Sequence, residues 1–211
     1  MYNPAAFRED RPEILHSLIR QARLALLVSN GAGGVPDITH LPLTLDAGAG
    51  LLIGHLARAN PHAAALREAG RAIAVFRGAE AYVSPNWYPS KAEHHRVVPT
   101  WNYEAVHAEG PVEIIEDPVR LHAIVSQLTE EKEASQPRPW SVADAPEPFI
   151  AGQLKGIVGF TLRIELLTGK RKLSQNRAAP DRDGATAGLA ASEDPRDRAT
   201  AAAMRRMAEG G

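Results

Sequence analysis

Residues 82–103 read YVSPNWYPSKAEHHRVVPTWNY, and the reading of the fold turns on them. They hold five of the eleven aromatic residues, including two of the three tryptophans and three of the four tyrosines. Pro85, Pro89 and Pro99 remove backbone donors and forbid a continuous helix or a central strand. The stretch therefore predicts a rigid, mostly irregular loop, and proline-fixed aromatic loops of this length usually carry function or form an interface. The blander reading is an aromatic mini-core beneath a long loop.

The flanks are more regular. Residues 72–77 read as a strand leading into the loop, and residues 103–115 as a strand leaving it, with Gly110-Pro111 suggesting a bulge or an edge. Upstream, Asp10, Pro12 and Glu13 open a helix over residues 11–22, whose apolar positions Ile14, Leu15, Leu18, Ile19 and Ala22 recur at helical spacing. Residues 24–28 form a short buried strand that ends in the glycine-rich turn 30–34. That turn lacks phosphate-loop spacing and reads as a hairpin. A second hairpin pairs residues 35–45 with 51–56. Asn60 and Pro61 then start a helix that Gly70 stops. Arg58 beside this helix start marks a candidate anion site.

Downstream, Asp117-Pro118 starts a helix running to about Glu133. Residues 136–147 are proline-rich and irregular, with Trp140 as their expected anchor. Phe149, Ile150 and Leu154 suit a short helix, and residues 156–167 are the longest strand signal. Residues 168–177 read as a basic, amide-rich turn. Beyond residue 189 the chain is rich in alanine and arginine, and Asp194-Pro195 opens a terminal helix whose alanine face predicts weak docking or a partner contact. One domain over residues 1–189 with a tail over 190–211, helical or partly disordered, is the expected organisation. Six to seven strands, short helices and hairpin connections predict a mostly β (α+β) fold, an antiparallel barrel with peripheral helices.

Composition narrows the function. The 211 residues are 44% hydrophobic and 23% charged with a net charge of −1, so no global field drives the chain toward nucleic acid or an anionic membrane. Without cysteine, disulfides, thiolate catalysis and zinc–thiolate sites are excluded. No apolar run approaches membrane-spanning length and no leader is visible, which predicts a cytoplasmic location. No serine stands in a hydrolase elbow, and the eight histidines form no metal motif. What remains is a non-covalent site for a planar, anionic ligand. Trp87, Tyr88 and Trp101 can stack on a flat ring, and Arg58, Lys91 and Lys172 can neutralise a phosphate. Flavin mononucleotide (FMN) matches that description. Haem, with His40, His55 or His107 as axial ligand, matches it less well.

The segments MYNPAAF (1–7), HLPL (40–43), GHLARANPH (54–62), YVSPNWYPSK (82–91), VPTWNYEAVHAEG (98–110), IVGF (157–160) and GKRKLSQNR (169–177) together resemble the PaiB family of FMN-binding negative transcriptional regulators. The resemblance implies an FMN-binding split β-barrel and a homodimer with the flavin near the subunit interface. It also implies a repressor role in gene expression. The expected cofactor residues are His55, Arg58, Asn60, Tyr82, Ser84, Trp87, Lys91, Thr100, Trp101, Asn102, Lys172, Gln175 and Asn176. No helix-turn-helix pattern is visible, and Lys170, Arg171 and Lys172, with Arg163 and Arg177 nearby, are the one concentrated group of cations for direct DNA contact. An FMN-dependent oxidoreductase that does not touch DNA needs the same pocket and stays open as the alternative.

Overall fold

A computed structural model describes residues 1–210 and divides them between two compact units. One holds residues 22–76 and 107–167; the other holds residues 1–21, 77–106 and the chain from residue 168 onward. The strands are β1 (Arg8–Glu9), β2 (Ala25–Ser29), β3 (Asp37–Leu41), β4 (Thr44–Asp46), β5 (Leu51–Ala57), β6 (Arg71–Val83), β7 (Thr100–Ile115), β8 (Ile157–Arg163) and β9 (Leu166–Lys172). The helices are α1 (Pro12–Gln21), α2 (His62–Ala69), α3 (Ser90–His94), α4 (Pro118–Glu133), α5 (Glu147–Leu154), α6 (Ala179–Ala190) and α7 (Pro195–Ala208). Sheet order is β3-β2-β6-β7-β8-β5-β4, with β9 joining β7 and β1 joining β9.

In the unit of residues 22–76 and 107–167, β5 pairs antiparallel with β8 from Leu51 opposite Arg163 to Ala57 opposite Ile157. Period-two alternation sends Leu52, Gly54 and Leu56 to one face. A Cβ at Gly54 would stand 2.6 Å from Leu43 and 3.3 Å from Phe160, so glycine is what lets the strands close there. The other face carries Ile53 and lies against α4 and α5 through Leu121, Ile124 and Leu154. α4 begins as its sequence requires: the Asp117 carboxylate accepts from the Arg120 N–H at 2.9 Å. α2 ends on Gly70, whose φ of 63° is a left-handed cap.

In the other unit, Ala81, Val83, Tyr88, Leu173, Ala185, Leu189, Ala201, Ala203 and Met204 form the core. α7 therefore docks firmly and does not hang as a weak appendage. Its small residues Thr200, Ala201 and Ala203 are fully buried, since an alanine face permits close helix approach.

Several expectations are corrected. Residues 82–103 are not one irregular loop: β6 continues to Val83 and β7 begins at Thr100. Pro85 starts a 3-10 turn, Pro89 precedes α3, and Pro99 directly precedes β7, all places that need no interior strand donor. Gly110-Pro111 sits inside the continuous strand β7. A Cβ at Gly110 would lie 1.7 Å from the Arg163 carbonyl oxygen, so this is a close backbone approach. The long signal at 156–167 is two strands, broken where the Ile164 N–H donates to Gly50 O (2.8 Å) and the Glu165 N–H to Glu109 O (2.9 Å). The basic "turn" is strand β9 as far as Lys172. Trp140 is 45% exposed and anchors little. No described helix is long and apolar enough to cross a membrane.

Candidate functional site

The strand assignment of β9 reorganises the basic run. Alternation puts Arg171 on one face and Lys170 and Lys172 on the other. Arg171 is buried: its Nε donates to Glu104 Oε1 at 2.8 Å, and Nη1 meets Glu9 Oε2 at 3.4 Å. Lys170 is also buried; its ammonium donates to Tyr2 O at 3.0 Å and stands 5.5 and 5.3 Å from the ring centres of Tyr2 and Tyr103. A solvated cation patch for DNA is therefore not what residues 170–171 make.

Lys172 behaves differently. Its ammonium donates to Trp101 O at 2.6 Å and to Thr100 Oγ1. Burial, followed by repulsion from Lys170 and Arg177, pulls it below the usual lysine range. Among the described residues no carboxylate forms an ion pair with Lys172. Beside it Trp101 is 56% and Tyr82 46% exposed, with ring centres 6.1 Å apart at 72°. These rings are too exposed to be core, and the ammonium held by Thr100 Oγ1 and the Trp101 carbonyl has no carboxylate partner among the described residues. The two rings stand edge to face and so offer a single exposed ring face beside a partly desolvated positive charge, the chemistry of a site for a planar anion.

The remaining candidates of this unit are placed as follows. Asn102 is fully buried, its amide exchanging hydrogen bonds with Ser174 Oγ (3.0 and 3.1 Å) and lying 3.3 Å from Met204 Sδ. Gln175 folds back on its own turn, accepting from the Leu173 N–H at 2.7 Å and donating to Arg171 O. Asn176 is exposed. Ser84 Oγ accepts from the Asn86 N–H at 3.2 Å as a cap. Trp87 packs against the helical core, and Lys91 donates to Asn86 Oδ1. Tyr88, expected to stack on a ligand ring, is 2% exposed beneath the Arg177 guanidinium, 5.0 Å from its ring centre.

In the other unit, Arg58 is committed. Nη1 pairs with Glu116 at 2.6 Å, while Nε and Nη2 donate to the carbonyls of Lys155 and Ile157, each at 3.0 Å. Asn60 starts α2 as its position predicts: Oδ1 accepts from the His62 N–H at 3.0 Å and Nδ2 donates to Thr39 Oγ1 at 3.1 Å. His55 has a buried Nδ1 without a hydrogen-bond partner, and burial pulls its pKa down. His107 is pulled down by the same cause, and His40 is exposed. No group of three or more metal-ligating side chains occurs among the described residues.

The sequence reading grouped Lys170, Arg171, Lys172 and Arg177 as one set of cations but took the segment as a turn, and so did not separate Lys170 and Lys172 from Arg171. The signal was present in the i, i+2 spacing of the two lysines, but a strand had to be recognised before that spacing meant one face.

Comparisons with known proteins bear on the family and the fold. The family described as "Putative FMN-binding domain" matches residues 1–166. An uncharacterized protein of Aspergillus fumigatus is 34% identical over 87% of this chain and 84% of its own. The protease synthase and sporulation protein PAI 2 of Bacillus subtilis is 31% identical over 86% of this chain and 85% of its own. Among solved structures, a conserved hypothetical protein of Mycobacterium tuberculosis superposes with a TM-score of 0.60 at 16% identity, covering 84% of this chain and 94% of that one. The FAD and heme binding protein of Mycobacterium smegmatis gives 0.59 at 16% identity, covering 84% and 79%. At such identities the likeness shows the fold, which is the antiparallel split β-barrel with peripheral helices.

Proposed function

The chain belongs to the FMN-binding family that includes the Bacillus PAI 2 protein, and from that premise we propose that its flavin rests on the Tyr82–Trp101 surface, with Lys172 at the phosphate or ring edge. The observation that carries this reading is Lys172, a half-buried ammonium held by Thr100 and Trp101 and lacking a carboxylate partner. The residues fit the cofactor: an exposed aromatic ring face buttressed edge-on by a second ring, and cations without carboxylate partners for an anion. Lys91, whose bonded partner is the neutral Asn86, is a second cation for the phosphate. Bound FMN supplies electron and hydride transfer; the chain binds it, orients it and sheds water from one ring face.

A homodimer is part of the proposal. Val98, at 64% exposure, joins Tyr82 and Trp101 among the large exposed apolar side chains of this unit, and a dimer contact at or beside the flavin would cover them. We assign the protein a regulatory role in gene expression that passes through its flavin state and a protein partner. Burial of Lys170 and Arg171 supports that route over direct DNA contact. The second reading, an FMN-dependent oxidoreductase, is favoured by the same burial, because it needs no cationic face at all.

Absorbance of the purified protein titrated with FMN tests the core of this reading, the flavin bands being expected near about 450 nm. Lys172→Ala should weaken FMN binding roughly tenfold or more, the worth of a charge-assisted hydrogen bond. Unchanged affinity would place the anion elsewhere. Turnover of NAD(P)H by the loaded protein would select the oxidoreductase reading, and light scattering would count the subunits.

A further inference from the structure

α6 grips the segment between β6 and β7 at three points of one helix face. Asp181, Gly184 and Gly188 are spaced i, i+3 and i+7, so they line up along α6. The Asp181 carboxylate, 6% exposed, accepts from the Ser90 N–H at 3.1 Å and from Ser90 Oγ–H at 2.7 Å. Burial alone would raise its pKa, but the two bonds from Ser90 hold it below the usual carboxylate range. A Cβ at Gly184 would fall 2.1 Å from the Trp87 carbonyl oxygen. One at Gly188 would fall 2.3 to 2.6 Å from the Trp87 indole. Neither glycine is in the left-handed region, so close approach and not backbone freedom explains them. Two glycines inside a helix lower its propensity, which makes the notch they open a feature that packing maintains.

What α6 holds are the immediate neighbours of two polar groups, the exposed Asn86 and the half-buried Lys91. Trp87 follows Asn86, and Ser90 precedes Lys91. Asn86 and Lys91 bond each other, with the ammonium directed onto the amide oxygen. We propose that Asp181, with the Gly184–Gly188 notch, is a positioning device that presents Lys91 to the anionic end of the ligand. This rests on the reading that the protein binds FMN. α6 lies outside residues 1–166 matched by the family model, whereas Trp87, Ser90 and Lys91, which it holds or positions, lie inside them.

The test is a double-mutant cycle on the full chain with FMN as the probe. Asp181→Ala and Lys91→Ala should each weaken FMN roughly tenfold, and the double variant should be no weaker than either single one, because Asp181 acts through Lys91. A merely structural role would leave the two losses additive, and that result overturns the proposal. So does wild-type affinity in Asp181→Ala. Asp181→Asn, which keeps one acceptor for Ser90, should recover most of the binding. Ser90→Ala removes one hydroxyl from outside α6 and should shift affinity in the same direction, keeping the test sharp if Asp181→Ala does not fold. Absence of FMN binding by the wild type sinks the FMN reading and this proposal with it; binding by the wild type with additive losses sinks this proposal alone.

Discussion

Two buried polar networks, one in each unit, are built on opposite principles. In the unit of residues 1–21, 77–106 and 168 onward, the network is ionic. Arg171 bonds Glu104 and approaches Glu9, both carboxylates being almost fully buried, while Arg11 donates to Glu9 through Nη2 at 2.6 Å. In the unit of residues 22–76 and 107–167 the network is neutral. His62, 2% exposed, is bonded through Nε2 to Ser29 Oγ at 3.0 Å and through Nδ1 to Thr39 Oγ1 at 2.8 Å, with Asn60 completing the chain. Both satisfy their buried groups, but they differ in what a lost partner leaves behind. Removing a charge strands another charge, whereas removing a neutral ring strands only hydroxyls. The difference predicts a graded series.

The largest effect should come from Arg171→Met. It keeps most of the volume but leaves Glu104 buried without its partner, a loss of about 3–5 kcal/mol measurable as a fall in the urea midpoint. An equal loss for Glu104→Gln/Arg171→Met together would show that the charge is not what matters. His62→Ala should cost less, roughly 2–3 kcal/mol, for the Ser29 hydroxyl left unpaired, one of the two Thr39 bonds lost and a small cavity opened. Asn60→Ala removes the bond to the His62 N–H and the one to Thr39, and should cost about 1 kcal/mol.

Smallest at neutral pH, but most diagnostic, is the pH response. Glu9 is lowered from 4.5 to about 2, chiefly by its side-chain bond from Arg11. Its folded pKa lies below its ordinary one, so its stabilisation is complete above about pH 4.5 and is lost as pH falls toward 2. His62 is pulled below 6.5 by burial, so the unfolded chain takes up a proton that the folded chain refuses. Stability should therefore fall as pH drops below 6.5, and His62→Gln should flatten part of that slope. His55 and His107, lowered for the same reason, keep the remainder. A slope unchanged by His62→Gln would assign it all to those two.

The legible parts of the fold were local. α1 showed its periodicity, α4 its Asp117-Pro118 start, α2 its Asn60-Pro61 start and its Gly70 stop. Each of these signals lies within a few residues of the structure it dictates. The candidate site was legible only in residue type. Trp101, Tyr82, Thr100 and Lys172 were chosen as aromatic, hydroxyl and cation, and the structure brings these four together through β6, β7 and β9. Trp87, Ser84, Asn102 and Gln175 were chosen on the same grounds, yet their side chains are engaged within the protein. Residue type does not separate the two sets: Ser84 and Gln175 bond backbone within four positions of themselves, whereas Asn102 and Lys172 each bond a partner 72 positions away.

What the sequence by itself determined was the class of chemistry and the family: a cysteine-free, nearly neutral chain with aromatic and cationic motifs for a planar anion, on an antiparallel split barrel. The chemistry and the antiparallel barrel follow from which residues are present and from their short-range spacing; the family and the split form of the barrel were implied by the resemblance of its motifs. Tertiary structure decided which cations are usable. In the run Lys170-Arg171-Lys172, three adjacent positive residues have three fates: one set between tyrosine rings, one locked to buried carboxylates, one left without a counter-ion beside Trp101. The physical reason is that the sign of a charge belongs to the residue, but its free energy belongs to its partners. Glu9, Glu104, Tyr2 and Trp101 reach β9 only once the sheet has formed.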